Sequence, residues 1–316
     1  MQDLQACPLC QAGSSKQTLE TRHVSGAPAG SSQRAFFHCL GCDVFYQWPR
    51  LTPEEETNFY RQEFEKFMSS RSPAGDIDWS NPIQHRLTNE SQRKRRETYL
   101  TPIYEKLFRT TSPVLLEIGC SSGFMLTGLK ERYGITCVGV EPSNVFSEFL
   151  AKEKYEIYQS LDVCRAKSQH KQFDVITNCF VLEHIQEPKP FILDCVALLK
   201  KDGDLVIEIP NAADPLRTLF PTTAFEKFYW SIAHPWYFTE ASLAYLLGEQ
   251  CGLRDFKILK DQRYDIGNHT HWMLEGKAGG QGKLSQVFDE TFATHYRESL
   301  IRSGKCDTLI AIINKA

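Results

Sequence analysis

Between residues 117 and 123 the chain reads Glu-Ile-Gly-Cys-Ser-Ser-Gly, directly after the apolar residues Val114, Leu115 and Leu116. A strand ending in such a turn leaves its backbone N–H groups bare, because Gly119, Ser121 and Gly123 carry little or no side chain. Bare amides at the start of a helix can approach a polar ligand closely. A second apolar run, 136–140, ends in Glu141, and an acid there can accept hydrogen bonds from both hydroxyls of a ribose. Two cofactor classes use a glycine turn followed by an acid. A dinucleotide fingerprint beginning at Gly119 needs glycine at 121 and 124, where this chain has Ser121 and Phe124. The form present is ExGxSxG.

Cys7-x-x-Cys10 and Cys39-x-x-Cys42 carry a second chemistry. Each pair brings two thiolates to one side of a tight turn, and two such knuckles complete a tetrahedral zinc site. Four protein thiolates leave no open position, so the zinc is expected to be structural. A segment of about 50 residues with few large apolar side chains needs such a staple. His23 and His38 are available but unnecessary.

Proton transfer points to two histidines. His184 follows the apolar run 173–180, and His234 follows the run 203–210 in a stretch rich in aromatics. Both are candidates to accept a proton at neutral pH, given an unperturbed pKa of about 6.5. Tyr237 and Tyr60 are weaker candidates at the acceptor. Glu183 could orient His184. Asn211 and Arg217 could bind hydroxyl or phosphate groups, and Trp236 could offer a flat surface to a ring.

These groups need elements to hold them. Runs at 114–119, 136–141, 173–180 and 203–210 alternate with amphipathic stretches, the pattern of buried parallel strands joined by helices. Two more strands are expected at 254–264 and 307–315, separated by a helical insertion at about 283–302. The predicted organisation is a zinc-binding module over 1–50, a helical lead-in over 51–112 and an α/β domain over 113–316. The lead-in opens at Thr52-Pro53-Glu54, an N-cap followed by Pro at the first helical position, and a loop interrupts it at 70–82.

The 316 residues contain 36 Lys and Arg against 39 Asp and Glu, a net charge of −3. No global positive field exists to gather nucleic acid. Residues 1–50 hold only Lys16, Arg22, Arg34 and Arg50 as cations, and the run Arg93-Lys94-Arg95-Arg96 reads as a solvated helix face. The eleven cysteines, an odd number, suit a reducing compartment. No stretch is apolar enough for a signal peptide or a membrane span, so a cytoplasmic location without membrane insertion is expected.

The ordered set ExGxSxG, VGVEPS (138–143), FDVITNCFVLEHI (173–185) and GDLVIEIPN (203–211) resembles the motifs of class I S-adenosylmethionine (SAM)-dependent methyltransferases. The resemblance implies a Rossmann-like doubly wound α/β sheet. It implies that Glu117, Gly119, Ser121 and Gly123 line the methionine part of SAM and that Glu141 holds the ribose. By the same resemblance Ser160 and Leu161 flank the adenine, and Asn178, Cys179 and Phe180 lie under the sulfonium. Together with CPLC, CLGCDVFYQWPR, VLEHIQEP and HPWYFTEASLAYLLGEQCGL, these motifs are similar to those of bacterial zinc-ribbon methyltransferases. That group includes the sugar C-methyltransferases of deoxysugar biosynthesis and enzymes encoded with polysaccharide genes. The sugar C-methyltransferases carry a Tyr-x-Glu-His cluster where this chain has Ser231-Ile232-Ala233-His234, so only the histidine remains. O-methylation of a sugar or related hydroxylated metabolite therefore stands beside C-methylation, with a small sugar-type acceptor and no nucleic-acid partner expected. The alternatives are an RNA methyltransferase that grips its substrate with the zinc ribbon, and a non-catalytic SAM- or partner-binding protein.

Overall fold

Leu115, Leu116, Val175, Ile176, Val206 and Ile207 are completely buried, because their strands are covered on both faces. A computed structural model describes residues 6–27, 34–71, 81–107, 112–167 and 172–316. Most of the loop expected at 70–82 lies outside them. Near the N-terminus three short antiparallel strands follow one another: β1 (Gln17–Thr21), β2 (Ala35–Cys39) and β3 (Val44–Trp48). The helical lead-in starts at Pro53, with Thr52 and Glu55 forming a reciprocal capping box.

The main sheet comprises β4 (Val114–Ile118), β5 (Thr136–Val140), β6 (Glu156–Tyr158), β7 (Phe173–Cys179) and β8 (Leu199–Pro210). A two-residue strand β9 (Trp236–Tyr237) intervenes before β10 (Phe256–Asp261) and β11 (Thr308–Asn314). The spatial order is β10-β11-β8-β7-β4-β5-β6. β4 to β8 pair in parallel, and β11 runs antiparallel to both its neighbours. The chain moves outward from β4 through β5 to β6, then returns to lay β7 on the other side of β4. That reversal opens a crevice at the carboxyl ends of β4 and β7, where open α/β sheets place their ligands. The doubly wound α/β sheet expected from the motifs is the sheet present, with all six expected strands.

Three differences matter. Two helices lie between the last two strands, Ile266–Glu275 and Glu290–Ser303, and 281–288 forms turns, with Gly279, Gly280 and Gly282 all at positive φ. The N-terminal segment does not stand apart. β9 adds to β3, pairing Tyr237 with Phe45 and Trp236 with Tyr46, so the N-terminal sheet is completed by a strand from residue 236 onward. The Arg93-to-Arg96 run is not a solvated face. Arg93 pairs with Glu90 and Glu97, while Arg95 and Arg96 turn inward onto the buried Glu208 of β8. Other ion pairs could not be read from local charge spacing either, among them Arg95 with Asp261, Arg217 with Glu20 and Arg50 with Glu187. Among the described residues no helix is long and apolar enough to cross a membrane.

Candidate active site

β4 ends in the 119–123 turn. Gly119, Ser121 and Gly123 have φ of 74°, 44° and 70°, a left-handed path that glycine adopts without strain. Close approach also requires glycine here: a Cβ on Gly119 would lie 2.5 Å from the Val181 side chain. The turn therefore packs directly on the segment after β7, which carries Glu183 and His184. Glu141, at the end of β5, accepts from the Ser121 N–H at 2.7 Å and from the Ser143 N–H at 2.8 Å, one on each carboxylate oxygen.

Buried polar atoms without partners among the described residues mark the crevice. They are Glu117 Oε2 and both side-chain polar atoms of Asn178, at the ends of β4 and β7. Burial pushes the Glu117 carboxyl up to about 8, with Arg96 working against it and Glu141 with it. Such atoms cost stability unless a ligand satisfies them. The methionine ammonium of SAM could donate to the two oxygens and its carboxylate could accept from Asn178 Nδ2, so bare amides and these side chains fit the cofactor. The remaining cofactor candidates lie around the same strand ends. Ser160 Oγ accepts from Val163 N–H at the start of the helix Leu161–Lys167, immediately after β6. Burial pushes the half-buried Cys179 thiol up to about 12. Phe180 has φ 57° and lies between the guanidinium groups of Arg96 and Arg263, 5.6 and 4.2 Å from its ring centre.

Next to this crevice stand Glu183, His184 and His234, with one potential ligand atom of each within 4.8 Å of the others. The histidine rings meet edge to face at 4.6 Å. His184 Nδ1 lies 2.8 Å from the Ala233 carbonyl, and the Tyr60 hydroxyl lies 3.1 Å from the same nitrogen. A wide helical turn, Phe59–Glu63, places Tyr60 there. Among the described residues His234 Nδ1 and Glu183 Oε2 have no partner. Burial lowers the His184 pKa to about 4 and that of His234 well below its usual value, with Arg71 adding to both. The expectation of a histidine near pKa 6.5 is thus corrected: both imidazoles are neutral and weakly basic, because desolvation disfavours the imidazolium. Burial pushes the Glu183 carboxyl up to about 8.

The other candidates lie apart from this cluster or are tied up. The Tyr237 hydroxyl donates to the Tyr229 carbonyl and accepts from Ser231 N–H, leaving it committed to the backbone. Asn211 donates to the Cys306 carbonyl at 2.8 Å and accepts from Ala213 N–H. Arg217 donates to the Ala212 carbonyl and pairs with Glu20 at 2.9 Å. Trp236 is buried, and its indole N–H donates to the Ile185 carbonyl at 3.0 Å. These four brace the site.

Residues that the sequence did not flag come from the helical lead-in. His85 meets Ser122 Oγ at 2.8 Å and Arg86 donates to the Ser122 carbonyl, so the helix Pro82–Thr88 covers the 119–123 turn. Arg71 lies over the Phe228 ring at 3.8 Å. With Phe228 and Trp272 it lines two adjoining cavities of about 320 and 250 Å³, and the smaller also meets Asn268, whose Oδ1 has no partner among the described residues. An isolated Arg or Asn in a polar stretch gives no sequence signal of this kind.

The four cysteine sulfurs cluster as well. Cys7 and Cys42 Sγ are 3.8 Å apart and Cys10 and Cys39 Sγ 3.5 Å apart. Ligands at about 2.3 Å in a tetrahedron stand about 3.8 Å from one another. Leu9 N–H and Gly41 N–H each point to a sulfur at 3.4 Å, as a knuckle requires. The cluster is compatible with a zinc ribbon.

A family model described as a methyltransferase domain matches residues 92–257. Among curated proteins, a ubiquinone biosynthesis O-methyltransferase of Coxiella burnetii is 26% identical over 166 residues, covering 51% of this chain and 66% of its own length. A tRNA U34 carboxymethyltransferase of Pseudoalteromonas translucida is 27% identical over 168 residues, covering 50% of this chain and 51% of its own length. The chain thus spans about half to two-thirds of the length of these relatives. Among solved structures, a plantazolicin methyltransferase in complex with a triazolic desmethylPZN analog and SAH has a TM-score of 0.50 at 16% identity, covering 82% of this chain and 94% of that one. That likeness shows the fold. The expectation of no nucleic-acid partner does not stand, because relatives named for tRNA lie at the same distance as those named for a small molecule. Net charge reports the global field, and a local RNA contact needs none.

Proposed function

The chain belongs to the methyltransferase-domain family, and from that premise we propose that it transfers a methyl group from SAM to a hydroxyl oxygen of a polar acceptor such as a sugar. The observation that carries this reading is the adjacency of two groups. Unsatisfied buried atoms at the ends of β4 and β7 suit a cationic cofactor, and the Glu183, His184 and His234 cluster lies one short segment away.

When bound, SAM supplies a methyl group on a positively charged sulfur, which leaves as a neutral thioether. The 119–123 turn and Glu141 would hold the nucleoside and amino-acid parts, with Glu117 and Asn178 Oδ1 toward the positive charge. The aromatic cavities with Arg71 and Asn268 offer ring surfaces and polar anchors to the acceptor. The histidine cluster orients the acceptor hydroxyl, and alignment is the main demand of such a displacement. An acceptor oxygen held in line by these residues would take the methyl group, the C–S bonding pair staying with the departing sulfur. The hydroxyl proton, made acidic by the new bond, leaves to water. A structural zinc at Cys7, Cys10, Cys39 and Cys42 completes the reading.

The test is transfer from radiolabelled SAM to a panel of nucleotide sugars and other hydroxylated small molecules, and separately to total RNA. Label on a hydroxyl of a small acceptor is expected. His184→Ala and His234→Ala are expected to lower kcat by about 100-fold, the scale of a misaligned acceptor, with SAM affinity little changed. A second reading, an RNA acceptor, is favoured by the tRNA carboxymethyltransferase relatives. Label on RNA alone would establish it in place of the first, and label on nothing would overturn both.

A further inference from the structure

Resting on that reading of the acceptor side, we propose that Glu183, His184 and His234 form a divalent-cation site distinct from the four-cysteine cluster. Its ion takes the acceptor hydroxyl as a further ligand.

Three observations converge. The three side chains bring ligand atoms within 4.8 Å of one another from two separate segments, the loop after β7 and the loop before β9. Two of the polar atoms there, Glu183 Oε2 and His234 Nδ1, are buried and have no hydrogen-bond partner among the described residues. The third ligand is oriented from behind. His184 Nδ1 lies 2.8 Å from the Ala233 carbonyl, and a carbonyl can only accept, so that nitrogen carries the proton and Nε2 presents its lone pair. A backbone carbonyl fixing the far nitrogen is the arrangement that metal-ligating histidines ordinarily have. Tyr60 adds its hydroxyl to the same corner. Facing lone pairs repel one another unless a positive charge lies between them.

The donor set selects the ion. Two imidazoles and one carboxylate with open positions suit a first-row divalent metal such as manganese or iron(II), whereas four thiolates select zinc. Both histidines keep part of their surface open, so an acceptor can reach the ion. An ion there lowers the pKa of a bound hydroxyl and orients its oxygen. The weakly basic imidazoles then serve as ligands, and the proton leaves to water.

Manganese alone is the probe, because it is too hard to displace zinc from thiolates. Zinc-loaded protein is titrated with Mn²⁺ and free ion is followed by electron paramagnetic resonance, without substrate. One Mn²⁺ per chain is expected, with affinity reduced at least about tenfold in Glu183→Gln and His234→Ala. SAM binding by calorimetry reports whether each variant is folded. Absence of a stoichiometric site in the wild-type protein, or a site of unchanged affinity in both folded variants, overturns the proposal. The two readings fail separately. Methylation of a hydroxyl without Mn²⁺ binding removes the cation and leaves the activity. Mn²⁺ binding with no hydroxylated acceptor methylated removes the activity and leaves the site.

Discussion

The backbone N–H of Ser121 donates to the carboxylate of Glu141 at 2.7 Å. The acid expected to hold a ribose therefore also shapes the turn that receives the rest of the cofactor. Its second oxygen takes the Ser143 N–H at 2.8 Å, and carboxylate oxygens retain further lone pairs for ribose hydroxyls. Glu141→Ala is expected to weaken SAM binding by at least about tenfold, since charge-assisted hydrogen bonds contribute about 1.5–3 kcal/mol each. Glu141→Gln should fall between the two. Calorimetry giving wild-type affinity for the alanine variant would refute the assignment.

Glu117 offers a pH-dependent signature. Burial holds its carboxyl at about 8, so at pH 7 it is mostly protonated in the free protein. A cation bound beside it favours the carboxylate and lowers that pKa, so SAM binding should release a fraction of a proton near pH 7 and less below pH 6. Calorimetry in buffers of different ionisation enthalpy measures this release, and Glu117→Gln should abolish it. Equal release in wild type and variant would place the titrating group elsewhere. The same shift acts on stability. The raised folded pKa means that Glu117 disfavours the native state increasingly as pH rises from about 4.5 to 8.

Glu208 has the opposite sign. Arg96, Arg95 and Arg263 outweigh its burial and hold its carboxyl at about 2. Its contribution is complete above the unfolded pKa of about 4.3 and is lost as pH falls toward 2. Glu208→Gln leaves Arg95 and Arg96 buried with less charge to meet, and is expected to destabilise by about 3–5 kcal/mol. The denaturant midpoint at pH 7 checks this, and the gap between variant and wild type should close in acid.

The cysteine cluster should matter beyond its own segment. β3 carries β9, Gln47 N–H donates to the Pro235 carbonyl, and Ser25 exchanges hydrogen bonds with Trp230 and Ile232. The loop bearing His234 is thus built on the N-terminal sheet. Cys39→Ser is expected to lose zinc, keep SAM affinity within about twofold, and lower kcat by about 100-fold, the scale of a misplaced reacting group. Metal analysis with SAM calorimetry and turnover separates these effects, and unchanged turnover in the zinc-free variant would dissociate the two parts.

The sequence by itself determined the local parts. Apolar runs marked the strands, glycines and small residues marked the cofactor turn, and paired cysteines marked the knuckles, because each is a short-range pattern whose physics is complete within a few residues. Tertiary structure alone decided how the parts meet. Nothing near Arg95 and Arg96 foretold Glu208, more than a hundred residues away. Nothing near Trp236 and Tyr237 foretold that they would close the N-terminal sheet and spend their polar groups on the scaffold. Basicity was equally out of reach: His184 and His234 have ordinary pKa values as residue types, and burial, helped by the Arg71 charge and opposed at His184 by the Ala233 carbonyl, is what makes them neutral. Burial and long-range pairing are properties of the folded arrangement, since they depend on which surfaces exclude water together.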